Sequence, residues 1–168
     1  MRKPRNQRVG VFIDVSNMYH CARHQYGGYV DFKKVLQDAV GGRQLIRAIA
    51  YVVSADLPKQ EAFFEALGKA GFEVREKELQ IFPDGSKKGD WDVGLAVDAI
   101  TLADRLDTVI LVTGDGDFVP LVRFLKYNKG SRVEIVAFGR SCSNKLIEEA
   151  DEFLDLDKNP TRYLLKKG

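Results

Sequence analysis

Cysteine is scarce in this chain of 168 residues: Cys21 and Cys142 stand far apart and form no motif. That scarcity excludes a disulfide-stapled scaffold and points to a reduced, cytoplasmic setting. Long hydrophobic runs are missing as well. No stretch approaches the roughly 20 apolar residues that span a bilayer, so no membrane role is expected. The first residues are basic but lead into a short strand and not into a signal-peptide core. Histidine is rare, and His20 and His24, one helical turn apart, have neither a Glu-x-x-His companion nor cysteine partners, which marks them as surface residues and not zinc ligands. Internal repeats, low-complexity segments and an internal domain boundary are all lacking.

What is present suits one compact domain. The chain is 45% hydrophobic, and a domain of this size buries roughly 70% of the surface its unfolded chain exposes. Net charge is only +2, but it is unevenly spread. Residues 1–8 carry Arg2, Lys3, Arg5 and Arg8 with no acid, and residues 158–168 carry Lys158, Arg162, Lys166 and Lys167 with no acid. The body, 9–157, is therefore net acidic. An acidic body between a basic N-terminal arm and a basic C-terminal tail fits a cation-charged pocket flanked by segments that attract phosphate. In the tail, Tyr163 is expected to be available to stack on a base.

Strand-like and helix-like segments alternate almost without interruption. Val9 to Asp14 is short and apolar, as a buried parallel strand should be. A helix follows from Phe32 with Asp31 as N-cap, stopped by Gly41-Gly42. Gln44 to Ser54 is the second strand, and Pro58 suits the first turn of a helix that runs to Gly71. Phe72 to Phe82 alternates like a half-exposed edge strand, and Pro83 to Gly89 is a loop by composition. A helix from Asp92 to Arg105, a strand from Thr108 to Thr113, a helix from Phe118 to Tyr127, a strand from Arg132 to Phe138 and a helix from Ser143 to Phe153 complete the chain. Such alternation predicts a three-layer α/β domain: a mainly parallel sheet with helices on both faces.

Four aspartates occupy the positions where chemistry collects in that architecture, beyond the carboxyl ends of the strands. Asp14 closes the first strand. Asp115 and Asp117 sit in the glycine-flanked loop Gly114-Asp115-Gly116-Asp117, and Asp92 opens a helix. Carboxylates brought together from separate strands repel unless something positive lies between them. A hard divalent cation with oxygen ligands, Mg2+ or Mn2+, is the natural occupant. Ser16 or Asn17 is expected to cap the helix after Asp14, with the Asn17 amide reaching toward a ligand held by Asp14. Lys88 is a candidate contact for a substrate phosphate. Asp98, about 120° around the helix from Asp92, can only support the site from behind. A capping role alone would also account for Asp14, Asn17 and Asp92, and an Asx turn for Asp115 and Asp117. The loop lacks the spacing and distal glutamate of an EF-hand, and the third glycine and lysine of a phosphate-cradling loop.

Three segments in this order, Phe12-Ile13-Asp14-Val15-Ser16-Asn17, Lys88-Gly89-Asp90-Trp91-Asp92-Val93 with Leu95-Ala96-Val97-Asp98, and Thr113-Gly114-Asp115-Gly116-Asp117-Phe118, resemble the NYN domain of the PIN-like nuclease superfamily, particularly its LabA-like subgroup. The likeness covers the chain from about Val9 to Leu156. It implies a five-stranded, mainly parallel sheet in 3-2-1-4-5 order. It further implies an Mg2+- or Mn2+-dependent ribonuclease whose catalytic metal ligands fall on Asp14, Asp92, Asp115 and Asp117, with Asn17 supporting. Asp98 matches a family position, and Ser16, Thr113 and Asp98 are further supporting candidates. Asp90 is an additional carboxylate that serves either as a ligand or as a helix cap. The expected partner is RNA in single-stranded form, and a homodimer is left open.

Two rival readings share some of these residues. The acidic loop echoes haloacid-dehalogenase-type phosphatases, but their nucleophile motif needs Asp-x-Asp after the first strand, and the residue two beyond Asp14 is Ser16. The other rival is a non-catalytic RNA-binding or regulatory module with the same acidic pocket.

Overall fold

Uninterrupted apolar burial defines the centre of the sheet. In the computed structural model, which describes residues 3–53, 60–77, 80–81, 83–84, 87–88 and 92–166, β1 (Arg8–Asp14) buries every residue from Val9 to Ile13. A strand that is apolar without alternation is one covered on both faces. The elements that follow are α1 (Val15–Tyr26), α2 (Phe32–Val40), β2 (Gln44–Val53), α3 (Gln60–Ala70), β3 (Glu73–Lys77), β4 (Gln80–Ile81), β5 (Lys87–Lys88), α4 (Asp92–Ala103), β6 (Thr108–Val112), α5 (Val119–Asn128), β7 (Arg132–Ala137), α6 (Asn144–Glu149), β8 (Glu152–Asp155) and α7 (Pro160–Tyr163).

The main sheet has six strands in the order β3-β2-β1-β6-β7-β8, and every pairing within it is parallel. Side chains of a strand alternate between faces, and β1 shows the consequence. Val9, Val11 and Ile13 enter a cluster with Met18 of α1, Val35 of α2 and Leu67 of α3. Phe12 enters the opposite cluster, with Leu95 of α4, Val122 of α5 and Leu146 of α6. The result is the expected three-layer α/β sandwich. Polar groups near the bottom of the sheet are handled by a buried pair: Arg43 donates to Glu134 through both terminal nitrogens, at 2.9 and 2.8 Å.

Several sequence expectations are corrected. The order 3-2-1-4-5 holds for the first five strands, but β8 adds a sixth beside β7, with Glu152 opposite Glu134 and Asp155 opposite Ala137. The helix expected to run to Phe153 ends at Glu149, because Ala150 turns to extended backbone. Only Phe153 and Leu154 are apolar there, too few to signal a strand before the exposed edge of β7 supplies a partner. The single edge strand expected from Phe72 to Phe82 is instead β3 followed by β4, and β4 pairs antiparallel with β5 inside the segment expected to be a loop. Pro58 and the residues 89–91 lie outside the described residues.

The basic ends are also less free than their composition suggests. Lys3 Nζ lies 3.4 Å from Glu134, and Arg8, in β1, forms an exposed pair with Asp107 at 3.1 Å. At the other end Arg162 binds Asp38 at 2.6 Å. Tyr163 is buried, with its hydroxyl donating to Asp38 at 2.6 Å. Its ring is core, not a surface available for stacking.

Candidate metal centre

Asp14 leaves β1 at its carboxyl end and is itself the N-cap of α1, because Val15 is already helical. Its Oδ1 accepts the backbone N–H of Asn17 at 3.2 Å. This corrects the expectation that Ser16 or Asn17 would be the cap. Released from capping, the Asn17 side chain reaches across the sheet end, where its Oδ1 accepts the backbone N–H of Gly114 at 2.9 Å. Asn17 thus holds the acidic loop to α1 through its carbonyl oxygen.

Thr113 follows β6 and is fully buried. Its hydroxyl donates to Asp14 Oδ2 at 3.2 Å and accepts the N–H of Asp115, also at 3.2 Å. One side chain therefore sets the spacing between two carboxylate-bearing residues. Asp115 caps the short 3-10 turn Gly116–Phe118, accepting the N–H of Asp117 at 2.9 Å. The glycines on either side answer a close approach. A Cβ at Gly114 would lie 3.1 Å from the Cα of Cys142, and one at Gly116 would lie 2.9 Å from the Ser143 hydroxyl oxygen. Larger residues would push the loop away from the sheet.

Asp92 supplies the third carboxylate from the first residue of α4. One carboxylate oxygen from each of Asp14, Asp92 and Asp115 lies within 4.8 Å of the others, and all three residues are half-buried. They line a cleft of about 180 Å³ together with Ser16, Asn17, His20 and Val53. Three oxygen donors drawn from three separate segments, at a spacing one cation can bridge, fit a hard divalent ion.

The remaining expected residues separate from this group. Asp117 is exposed and stands outside the three-carboxylate cluster. Asp98 lies further along α4, where the Tyr51 hydroxyl donates to it at 2.7 Å and the Arg75 guanidinium approaches at 3.4 Å. Burial, then the Asp98 carboxylate, push the Tyr51 phenol well above its ordinary pKa, so it remains a donor that ties α4 to β2. Lys88 is placed by its backbone on β5, opposite Gln80. His20 is exposed, as the absence of metal-ligand partners in the sequence implies, yet it also lines the cleft. The signal for that second fact is its position four residues after Ser16, on the helix that begins at the cleft.

A family model for the NYN domain matches residues 8–157. With that span covering nearly all of the chain, this protein belongs to the NYN domain family. Among individual proteins, it is similar to the low amplitude and bright protein LabA of Synechococcus elongatus, 28% identical over 171 residues that make up 97% of this chain and 90% of that protein. A solved structure is also similar: a protein of unknown function from Vibrio parahaemolyticus, with a TM-score of 0.87 and 36% identity, matched over 98% of this chain and all of the other. The LabA-like NYN resemblance of the three sequence segments is borne out by these matches.

Proposed function

We propose that this protein is a metal-dependent ribonuclease that hydrolyses phosphodiester bonds of RNA at the cleft formed by Asp14, Asp92 and Asp115. The observation that carries the reading is the meeting of three carboxylate oxygens within 4.8 Å at the carboxyl end of a parallel sheet. Asp14, Asp92 and Asp115 would hold Mg2+ or Mn2+, with Asp117 at the exposed rim of the same loop. Such an ion, when bound, supplies Lewis-acid stabilisation of a phosphoryl oxygen and a water made acidic enough to attack. The chain's own part is positional. Thr113 and Asn17 fix the carboxylates, Ser16 and His20 line the approach, and the half-buried setting limits competing water. No serine, cysteine or histidine nucleophile is needed for hydrolysis by this route.

Family membership adds to this reading, since the NYN resemblance implies action on RNA. The reducing, cytoplasmic setting is supported by the two cysteines, both free thiols. Among the described residues no helix is long and apolar enough to cross a membrane.

The test is digestion of labelled single- and double-stranded RNA and DNA with Mn2+ or Mg2+, in parallel with chelator. Cleavage that requires the cation and is lost in Asp14→Asn supports the reading. RNA retained without metal, and never cut with it, assigns the protein instead to a non-catalytic binding module.

A further inference from the structure

Ser16, Tyr19, His20 and Arg23 fall at i, i+3, i+4 and i+7 of α1, the spacing of one helical stripe. The stripe begins in the acidic cleft, which Ser16 and His20 both line. From there the side chains are in continuous ring contact. His20 meets Tyr19 edge to face, with centroids 5.4 Å apart and planes at 81°. Tyr19 meets Tyr29, just beyond the helix, at 6.1 Å and 40°. The Arg23 guanidinium lies 4.7 Å over the Tyr29 ring and is anchored by donating to the Gly27 carbonyl at 2.6 Å.

The outer end of this row is exposed in a way that core packing does not demand. Tyr29 keeps 47% of its surface in water, whereas Tyr163, which serves the core, keeps 5%. Tyr19 is half-buried against the core and braces the row. Surface aromatics joined to an arginine, leading away from an acidic phosphodiester cleft, are the elements from which single-stranded nucleic acid platforms are built. Bases stack on the rings, and a cation answers the phosphate between them. From Ser16 to Arg23 the helix advances about 10 Å.

We propose that the Tyr19–His20–Arg23–Tyr29 row is the substrate ledge of the cleft, on which unpaired RNA bases stack while the adjoining phosphate enters between Asp14, Asp92 and Asp115. The inference rests on the ribonuclease reading and adds to it the surface on which the strand is held. Bases held in a duplex are already stacked on their neighbours and have no face to offer, so the ledge selects unpaired RNA. Stacking accepts every base, so little sequence preference comes from this surface.

The experiment uses full-length Tyr29→Ala and Tyr29→Trp. Anisotropy of a labelled single-stranded RNA is measured in chelator, where nothing is cut, and repeated with an oligomer carrying abasic residues. Steady-state cleavage is followed in Mn2+. Loss of one stacked base, worth roughly 1–3 kcal/mol, corresponds to binding weakened about 5- to 150-fold. Tyr29→Ala is expected to show that loss on the normal oligomer only, with Tyr29→Trp restored. In cleavage, KM should rise while kcat at saturation is kept. Unchanged binding by Tyr29→Ala, an equal loss on the abasic oligomer, or a parent that does not bind the RNA each overturns the ledge. If stacking behaves as described and no preparation cuts RNA, the ribonuclease reading fails while the ledge stands. Cation-dependent cleavage with an unchanged KM in Tyr29→Ala overturns the ledge and leaves the ribonuclease reading in place.

Discussion

Asn17 on α1 accepts the backbone N–H of Gly114 through its side-chain oxygen at 2.9 Å, a bond between residues 97 positions apart. It fastens the first helix to the loop that carries Asp115, and it leaves Asp14 to close the helix alone. The acidic loop therefore owes its position to an uncharged side chain. Gly114 is buried, so its N–H has little access to water as a replacement partner.

Asn17→Ala should cost roughly 1–3 kcal/mol, the penalty for a buried donor left unpaired. For a chain of this length that is about 2–12 °C in Tm. Asn17→Asp keeps an acceptor at the same place and should recover most of the loss when Mn2+ is present. Chemical denaturation of both variants, with and without the cation, checks the ordering. A silent Asn17→Ala would mean that Thr113 and the Ser143 N–H, which donates to the Gly114 carbonyl at 3.0 Å, hold the loop without it.

Three carboxylates within 4.8 Å repel one another in the apo protein. A cation that binds only the folded state adds stability by mass action, about 2.7 kcal/mol at a hundred times its Kd. Mn2+ should therefore raise Tm, and Asp14→Asn, Asp92→Asn and Asp115→Asn should each blunt the rise and abolish cation-dependent cleavage without unfolding the protein. Asp117→Asn, at the exposed rim, should keep most of the thermal response. Matched melting curves and RNA digestions on the same preparations decide this. A full Mn2+ response in an Asp14→Asn/Asp115→Asn double variant would place the site elsewhere.

Acid should weaken the fold through carboxylates whose charge the folded state favours. Burial disfavours the charge of Glu134, but hydrogen bonds from Arg43, the charges of Lys3 and Arg43, and Arg132 outweigh it and hold the carboxyl below its ordinary pKa. A carboxylate depressed in the folded state contributes stability that is fully present above its unfolded pKa, about 4.3, and is lost as pH falls through the lower native value. Asp38 and Asp157 are depressed too and add to the same slope. Tm should be level above pH 5 and fall steeply below 4. Glu134→Gln strands the buried Arg43 guanidinium, which should lower Tm at pH 7, breaking a buried pair costing roughly 3–5 kcal/mol. Its acid slope should be shallower than the parent's, as measured by calorimetry across the pH range.

Removing residues 158–168 should damage the fold. Tyr163 is 5% exposed, and Arg162 with Tyr163 satisfies Asp38 of α2. Loss of a buried aromatic ring alone costs roughly 3–5 kcal/mol, or about 6–20 °C in Tm for a chain of this size. A truncated protein that melts with the parent would restore the picture of a free basic arm.

The parts of the structure legible in the sequence are those where one strand or helix carries its own signal. The apolar run Val9–Ile13 had to be buried on both faces, and the carboxylates after it and within the loop after β6 had to lie at the same sheet end, because parallel strands point the same way. What escaped depends on partners. β8 exists because β7 has a free edge. The cap at Asp14 follows from how abruptly the strand becomes a helix, which composition does not register. Tyr163 looks like a tail residue until Asp38 is found against it, and His20 looks like a surface residue until α1 is seen to start inside the cleft.

The parallel pairing of β1 with β6 carries a consequence for how the chain is made. Thr113 and Asp14 are 99 positions apart, and the strands they close cannot meet until the ribosome has released the chain past residue 112. Pairings between distant segments form slowly, after the entropy of closing the intervening loop has been overcome. The three-carboxylate cluster is thus incomplete until Asp115, on the loop after β6, has joined Asp14 and Asp92. A chain terminated before residue 115 lacks the third of the three carboxylates, so no such fragment carries the pocket proposed to hold a cation.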